Sequence, residues 1–187
     1  MYNFVIISGC SGGGKSSLLA ELGRRGHAVV PEPGRRIIAE ERAAGGTALP
    51  WVDLAAFARR AVAMALNDRH GMRGRPGWVF FDRGLIDAAA ALERATGEPA
   101  LAPLADAHRY HPRIFLTPPW PDIYVPDDDR RHDFNAATAE YADLCRAYAL
   151  SDYDLDLLPR TGIARRADYI LSRLAGPSPP PPPITGR

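Results

Sequence analysis

Lysine is nearly missing from this chain. Of the 23 basic residues among its 187, only Lys15 carries an ammonium group, and all the others are arginines. Guanidinium can replace ammonium at most positions, so the one lysine retained marks a place that needs a compact point charge. Cysteine is scarce too: Cys10 and Cys145 cannot build a disulfide framework, and neither stands in a pair with metal-ligand spacing, which fits a reducing compartment. No apolar run approaches the roughly 20 residues that a bilayer requires. The chain starts on Tyr2-Asn3-Phe4-Val5 after Met1 without a basic leader, so a cytoplasmic location is expected. Charge of one sign is lacking as well. A formal net charge of +1 is too balanced for a protein that holds nucleic acid through its backbone phosphates. Small anionic ligands stay open.

What is present is ordinary globular material, with 46% hydrophobic and 24% charged residues. The length suits one domain, expected over 1–175. Phe4 to Ile7, closed by Ser8 and Gly9, reads as a buried strand. A helix over Ser16 to Arg25 and a second strand over His27 to Pro31 follow it. Helices are expected over Arg35 to Ala44 and Val52 to Arg69, then a strand over Trp78 to Phe81. Helices over Leu85 to Ala95 and Leu101 to Tyr110 precede a fourth strand, Arg113 to Leu116. Beyond the rigid Thr117-Pro118-Pro119-Trp120-Pro121 and a charged loop over Tyr124 to Asp133 come a helix (Asn135 to Leu150), a fifth strand (Tyr153 to Leu158) and a last helix (Ile163 to Leu174). Strands alternating with helices predict an α/β fold, a parallel sheet covered on both faces. Residues 176–187, with the proline run Pro179 to Pro183, cannot pack a core and read as a disordered tail, not a dedicated protein-binding segment.

The chemistry concentrates where the first strand meets the first helix. Gly9-Cys10-Ser11-Gly12-Gly13-Gly14-Lys15-Ser16 fits G-x-x-x-x-G-K-[ST], and in a chain so poor in lysine a chance match is rare. Glycines let the backbone wrap an anion, so that N–H groups and the positive end of the helix dipole converge on a phosphate. Lys15 then reaches the β- and γ-phosphates, the Ser16 hydroxyl is a ligand for Mg²⁺, and Ser17 completes the candidate cradle. Cys10 fills a free loop position as a small packing residue. The second anchor is Asp82, at the carboxyl end of a strand expected beside the first, where ligands sit in open α/β sheets. A carboxylate there can orient Mg²⁺. His108 and His111, just before Pro112, read as a wet helix end and not as a zinc site.

The cradle, Pro31-Glu32-Pro33-Gly34-Arg35, Phe81-Asp82-Arg83-Gly84 and the loop Tyr124-Val125-Pro126-Asp127-Asp128-Asp129-Arg130-Arg131 together resemble the small bacterial predicted ATPases of the NadR-type AAA domain group. That group is similar to thymidylate and deoxynucleoside kinases, and the resemblance covers nearly all of the chain before the proline tail. It implies a three-layer fold whose five parallel strands take the kinase-like order 2-3-1-4-5, with ATP and Mg²⁺ on the cradle and a small-molecule acceptor beside it. It also implies roles. Glu32 matches the acidic residue that faces the acceptor hydroxyl and is the candidate base. Arg83 matches the arginine that holds substrate or the transferring phosphate, and Arg130 and Arg131 match lid arginines, where the planar fork suits phosphate oxygens. Arg35 and Arg36 are plausible substrate-phosphate ligands, although first-turn arginines are usually solvated. The chain departs from thymidylate kinases in having Gly84 after Arg83, and it has no room for the helical lid subdomain of ring-forming motors.

Two functions follow from these residues. One is Mg·ATP-dependent phosphoryl transfer to a nucleoside, nucleotide or other metabolite, in which positioning and charge neutralisation carry the reaction. The other is an ATPase or nucleotide-switched binding module that orders the 124–133 loop. A GTP switch is disfavoured because the chain contains no N-K-x-D motif.

Overall fold

The computed structural model describes residues 3–124 and 134–176. The five strands among them, β1 (Phe4–Gly9), β2 (Ala28–Val30), β3 (Val79–Asp82), β4 (Arg113–Thr117) and β5 (Asp154–Leu157), pair in parallel in the order β2-β3-β1-β4-β5. Both faces of the central strands are apolar, and the period-2 alternation sorts them. Phe4, Ile6, Val79, Phe81, Ile114 and Leu116 enter one core, and Val5, Ile7, Phe80 and Phe115 the other.

Two helices cover the second face: α1 (Lys15–Arg24) supplies Leu18, Leu19 and Leu22, and α7 (Ile163–Ala175) supplies Ala167, Ile170 and Leu174. The other face takes α3 (Leu54–Gly71), α4 (Leu85–Thr96), α5 (Leu101–Ala107) and α6 (Phe134–Leu150). A satellite cluster of Ile37, Ala61 and Ala88 joins α2 (Pro33–Ala44) to α3 and α4. These layers leave the carboxyl ends of β1, β2 and β3 free to carry a site, as open α/β sheets do.

The fifth helix stops at Ala107, short of the expected Tyr110, because the next residues are needed elsewhere. Tyr110 is buried in the first core, and His111 N donates to Phe4 O at 2.7 Å, which draws the chain into β4. His111 corrects the expectation of a wet helix end. It is buried, meets the edge of Trp78 with ring centroids 5.5 Å apart, and accepts from Arg113 N at 3.1 Å. Arg36 is likewise a structural residue, paired with Asp68 of α3 at 2.7 Å. No helix among the described residues is long and apolar enough to cross a membrane. The tail beyond Gly176 lies outside the described residues.

Candidate functional site

The cradle begins where β1 ends. Gly9 has φ 116°, and a Cβ there would sit 2.4 Å from Thr117 O, so β1 and β4 come together closely enough that only glycine fits. Cys10 N donates to Thr117 O at 2.9 Å and Gly13 N to Cys10 O at 3.1 Å, which folds the loop back over the strand ends. Helix α1 then starts at Lys15 with no side chain capping it. Its first N–H groups therefore have no partner within the helix and face the loop, the usual arrangement for an anion.

Lys15 is buried under this loop. Its Nζ donates to Cys10 O at 2.9 Å and to Gly9 O at 3.2 Å, and among the described residues no carboxylate pairs with it. Burial, and secondarily the nearby Arg83 charge, pull its pKa down to about 8. An ammonium held by carbonyl oxygens alone is ready to exchange them for a phosphate.

The next strand supplies the opposite charge. Asp82 closes β3 and stands opposite Ile7 of β1, and its Oδ1 is buried without a hydrogen-bond partner. Burial and then the field of Glu32 push its pKa up to about 6. Arg83 follows in a left-handed conformation, φ 59°, unusual for a residue with a side chain. Its amide donates to Ile7 O at 3.0 Å, and its Nη1 reaches Glu140 of α6 at 2.7 Å. Burial opposes this charge, but Glu140 and Glu32 outweigh it and hold the guanidinium pKa above its ordinary range. The Nε of Arg83 stands 3.6 Å from Glu32 Oε1 and is itself buried without a hydrogen bond.

Glu32 occupies the N-cap position of α2, yet its side chain makes no capping bond. It faces Arg83 and, at 3.5 Å, Arg35 instead.

Beneath the Asp82-Arg83-Gly84 corner lies a second acid. Asp87, in the first turn of α4, is 2.5 Å from both Ser8 Oγ and Tyr148 Oη, and accepts from Gly84 N at 2.9 Å. This network ties β1, α4 and α6 together at the strand end that carries the cradle.

Two cavities meet at the loop. One, about 280 Å³, is lined by Ser11, Lys15 and Ser16, by Glu32 and Arg83, and by Arg35, Ile38 and Phe57 of α2 and α3. The other, about 470 Å³, runs between Trp120 and the segment from Arg160 to Ile163, with Arg166 behind it. Gly12, Gly14, Ser17 and Ile123 border both. Gly9, Cys10 and Gly13 form the back of the loop and line neither.

The sequence reading thus finds its residues together: Lys15, Ser16, Glu32, Asp82 and Arg83 converge on one corner. Arg35, a plausible substrate-phosphate ligand by sequence, is exposed and lines the first cavity. Arg130 and Arg131 lie outside the described residues. Three residues were missed: Glu140, the anchor of Arg83; Asp87, under the corner; and Arg166, buried against the cradle. Glu140 had one faint signal, as the only glutamate of α6. Arg166 had none among so many arginines.

A family model described as an AAA domain matches residues 4–166. The chain belongs to this AAA domain family. Solved structures place the AAA domain among P-loop folds of kinase type. Deoxyadenosine kinase from M. mycoides with bound dATP matches with a TM-score of 0.61 at 13% identity, over 92% of this chain and 99% of that one. The same kinase with the products dCMP and dCDP gives 0.61 at 11%, over 91% and 98%. Shikimate kinase from Acinetobacter baumannii with shikimate gives 0.54 at 16%, over 91% and 92%. At these identities the likeness is one of fold. No curated protein matches the chain.

Proposed function

We propose that this AAA domain is a Mg·ATP-dependent phosphotransferase acting on a small acceptor such as a nucleoside or nucleotide. The observation that carries the reading is the pair of cavities sharing the cradle. A bare ATPase needs room for a nucleotide and a water. Here a separate chamber opens from Lys15 toward β2, with an acid and a paired arginine at its inner end and the apolar Ile38 and Phe57 on its wall. The lining is mostly polar, with Ile38, Phe57 and Ile123 as its apolar part, which suits a polar or phosphate-bearing small molecule that also offers an apolar face. The structurally similar kinases, solved with nucleotides or shikimate bound, are consistent with such a chamber.

In this reading the acceptor hydroxyl lies against Glu32. A bond forms from that oxygen to the γ-phosphorus, the bond from phosphorus to the β–γ bridging oxygen breaks, ADP leaves with the electron pair, and Glu32 takes the hydroxyl proton. Lys15 and Arg83 neutralise the transferring group. Arg130 and Arg131 would add two more guanidinium groups from the loop. The donor set also fits Mg²⁺: Ser16 offers a hydroxyl in the cavity and Asp82 an orphaned buried oxygen. Among the described residues no cluster of three acids, histidines or cysteines could hold an ion alone, so it would be shared with the nucleotide. When bound, it neutralises charge on the phosphate oxygens.

The test is ADP release measured across nucleosides, nucleotides and phosphorylated metabolites. One acceptor class should accelerate release, and Glu32→Gln should remove that acceleration while nucleotide binding persists. If none of them accelerates it, the phosphotransferase reading falls and a nucleotide-switched binding module replaces it.

A further inference from the structure

Behind the second cavity lies a charge that no group among the described residues neutralises. Arg166, one turn into α7, is 2% exposed and is among the largest fully buried side chains. Among the described residues no carboxylate pairs with it. Its Nη2 donates to Gly13 O at 3.1 Å, its Nη1 stands 3.0 Å from where a Cβ on Gly14 would lie, and its Nε has no partner. Burial lowers its pKa, with no acid to oppose the effect. The other buried guanidinium of the site, that of Arg83, is balanced by Glu140 and Glu32. A buried guanidinium without a counter-ion is costly. It is explained if the counter-ion is an anion that arrives from outside.

The position says which anion. Arg166 borders the cavity that contains Trp120 and Thr161, and is absent from the one that contains Lys15, Glu32 and Arg83, where the γ-phosphoryl would be transferred. It reaches the cradle beside Gly13 and Gly14, and its cavity shares Gly14 and Ser17 with the first, which leaves a path for a nucleotide whose γ-phosphoryl lies by Lys15 to extend into it. We infer that Arg166 is a nucleotide-binding residue that receives the α-phosphate of a nucleoside di- or triphosphate from behind the cradle. Gly14, at φ 77°, is glycine partly because a side chain there would occupy the space the guanidinium uses. The inference rests on the nucleotide half of the proposed function and is independent of the acceptor.

Arg166→Met keeps the bulk and removes the charge. ADP and ATP affinities, measured by calorimetry, should both fall by roughly tenfold or more. The nucleotide-free variant should melt no lower than the wild type, because the desolvated charge is gone. ADP affinity within about threefold of the wild type, or a loss confined to ATP, overturns the assignment. Where the variant melts lower, the wild type decides: the Arg166 Nε–H resonance should shift on adding ADP and stay in place on adding adenosine, and a resonance indifferent to ADP refutes the inference. A wild type that binds neither nucleotide removes the nucleotide reading and this inference together. A wild type and variant that bind equally well remove this inference alone.

Discussion

Two aspartates on one turn of chain behave in opposite ways. Asp87 is buried and fully occupied, taking hydrogen bonds from Ser8, Tyr148 and the Gly84 amide. Asp82, at the end of the preceding strand, is buried with Oδ1 left empty. Burial and Asp87 hold the Tyr148 phenol far above its ordinary pKa, so it stays a donor to that carboxylate. A satisfied buried acid contributes to stability; an unsatisfied one costs it and persists where it awaits a ligand. The same contrast separates Arg83, held by Glu140, from Arg166, which pairs with no acid among the described residues. Around this cradle the groups that shape the backbone are paired inside the protein. Of the groups that would meet phosphate or metal, Asp82 and Arg166 are left incomplete, and Arg83, although held by Glu140, keeps an Nε without a hydrogen bond.

The largest effect expected from this division is on Lys15. Lys15→Met should lower phosphoryl transfer by roughly 10³-fold or more without lowering the melting temperature of the free protein. The sign follows from linkage. A lysine whose folded pKa is depressed to about 8 is destabilised as a cation, so its stability contribution is present above about 10.5 and is lost as pH falls through about 8. At neutral pH the methionine variant is spared that cost, about 3 kcal/mol, offset in part by two lost hydrogen bonds. A variant that melts well below the wild type, measured by calorimetry at pH 7, would place Lys15 with the structural groups.

Asp82→Asn comes next, with turnover down roughly 10²-fold. Its pKa is raised to about 6, so the folded protein keeps a proton that the unfolded chain releases near pH 4. Stability from this group is full below about 4 and is lost as pH rises through about 6, by up to ~3 kcal/mol. Asp82→Asn should flatten the stability profile across that window, and in kcat/KM should remove the acid limb of a bell lying between about 6 and about 8. Asp87→Ala should do the reverse: it strands a hydroxyl, a phenol and an amide, costing ~2–4 kcal/mol of stability at pH 7. Equal melting temperatures for the two variants at pH 7 would erase the contrast.

How much of this was legible in the sequence depends on distance along the chain. The cradle, its strand and its helix are local, written in consecutive residues from Gly9 to Ser17, and the apolar alternation in β1, β3 and β4 marks a buried parallel sheet without help from elsewhere. The strand order became readable through resemblance to a family, and so did an interest in Glu32 and Arg83, whose turns are short motifs, but not the pairing of the two. Partners far apart carried no such mark. Arg83 meets Glu140 across 57 residues, Asp87 meets Tyr148 across 61, and Arg166 meets Gly13 across 153. In a chain whose basic residues are nearly all arginine, composition cannot distinguish the buried one from those in solvent. His111 shows the converse: a polar residue beside a proline reads as exposed until the strand that takes it inward is in place.

The smallest effect sharpens the comparison most, because it falls on a residue that touches no reactant in the proposed function. Glu140 fixes Arg83 from α6 and leaves the Nε side of the guanidinium toward Glu32. Replacing it by glutamine keeps the bulk and a hydrogen-bond acceptor while removing the charge. If Glu140 positions Arg83, Glu140→Gln should lower kcat by roughly tenfold and leave nucleotide affinity unchanged, and Glu140→Asp, which retains the charge at shorter reach, should recover part of the loss. If Glu140 only braces α6 against the corner, glutamine should serve nearly as well in turnover and aspartate should be the worse substitute. The ordering of these two variants in kcat therefore decides whether the paired half of the site is scaffold alone or also aims the arginine that the unpaired half needs.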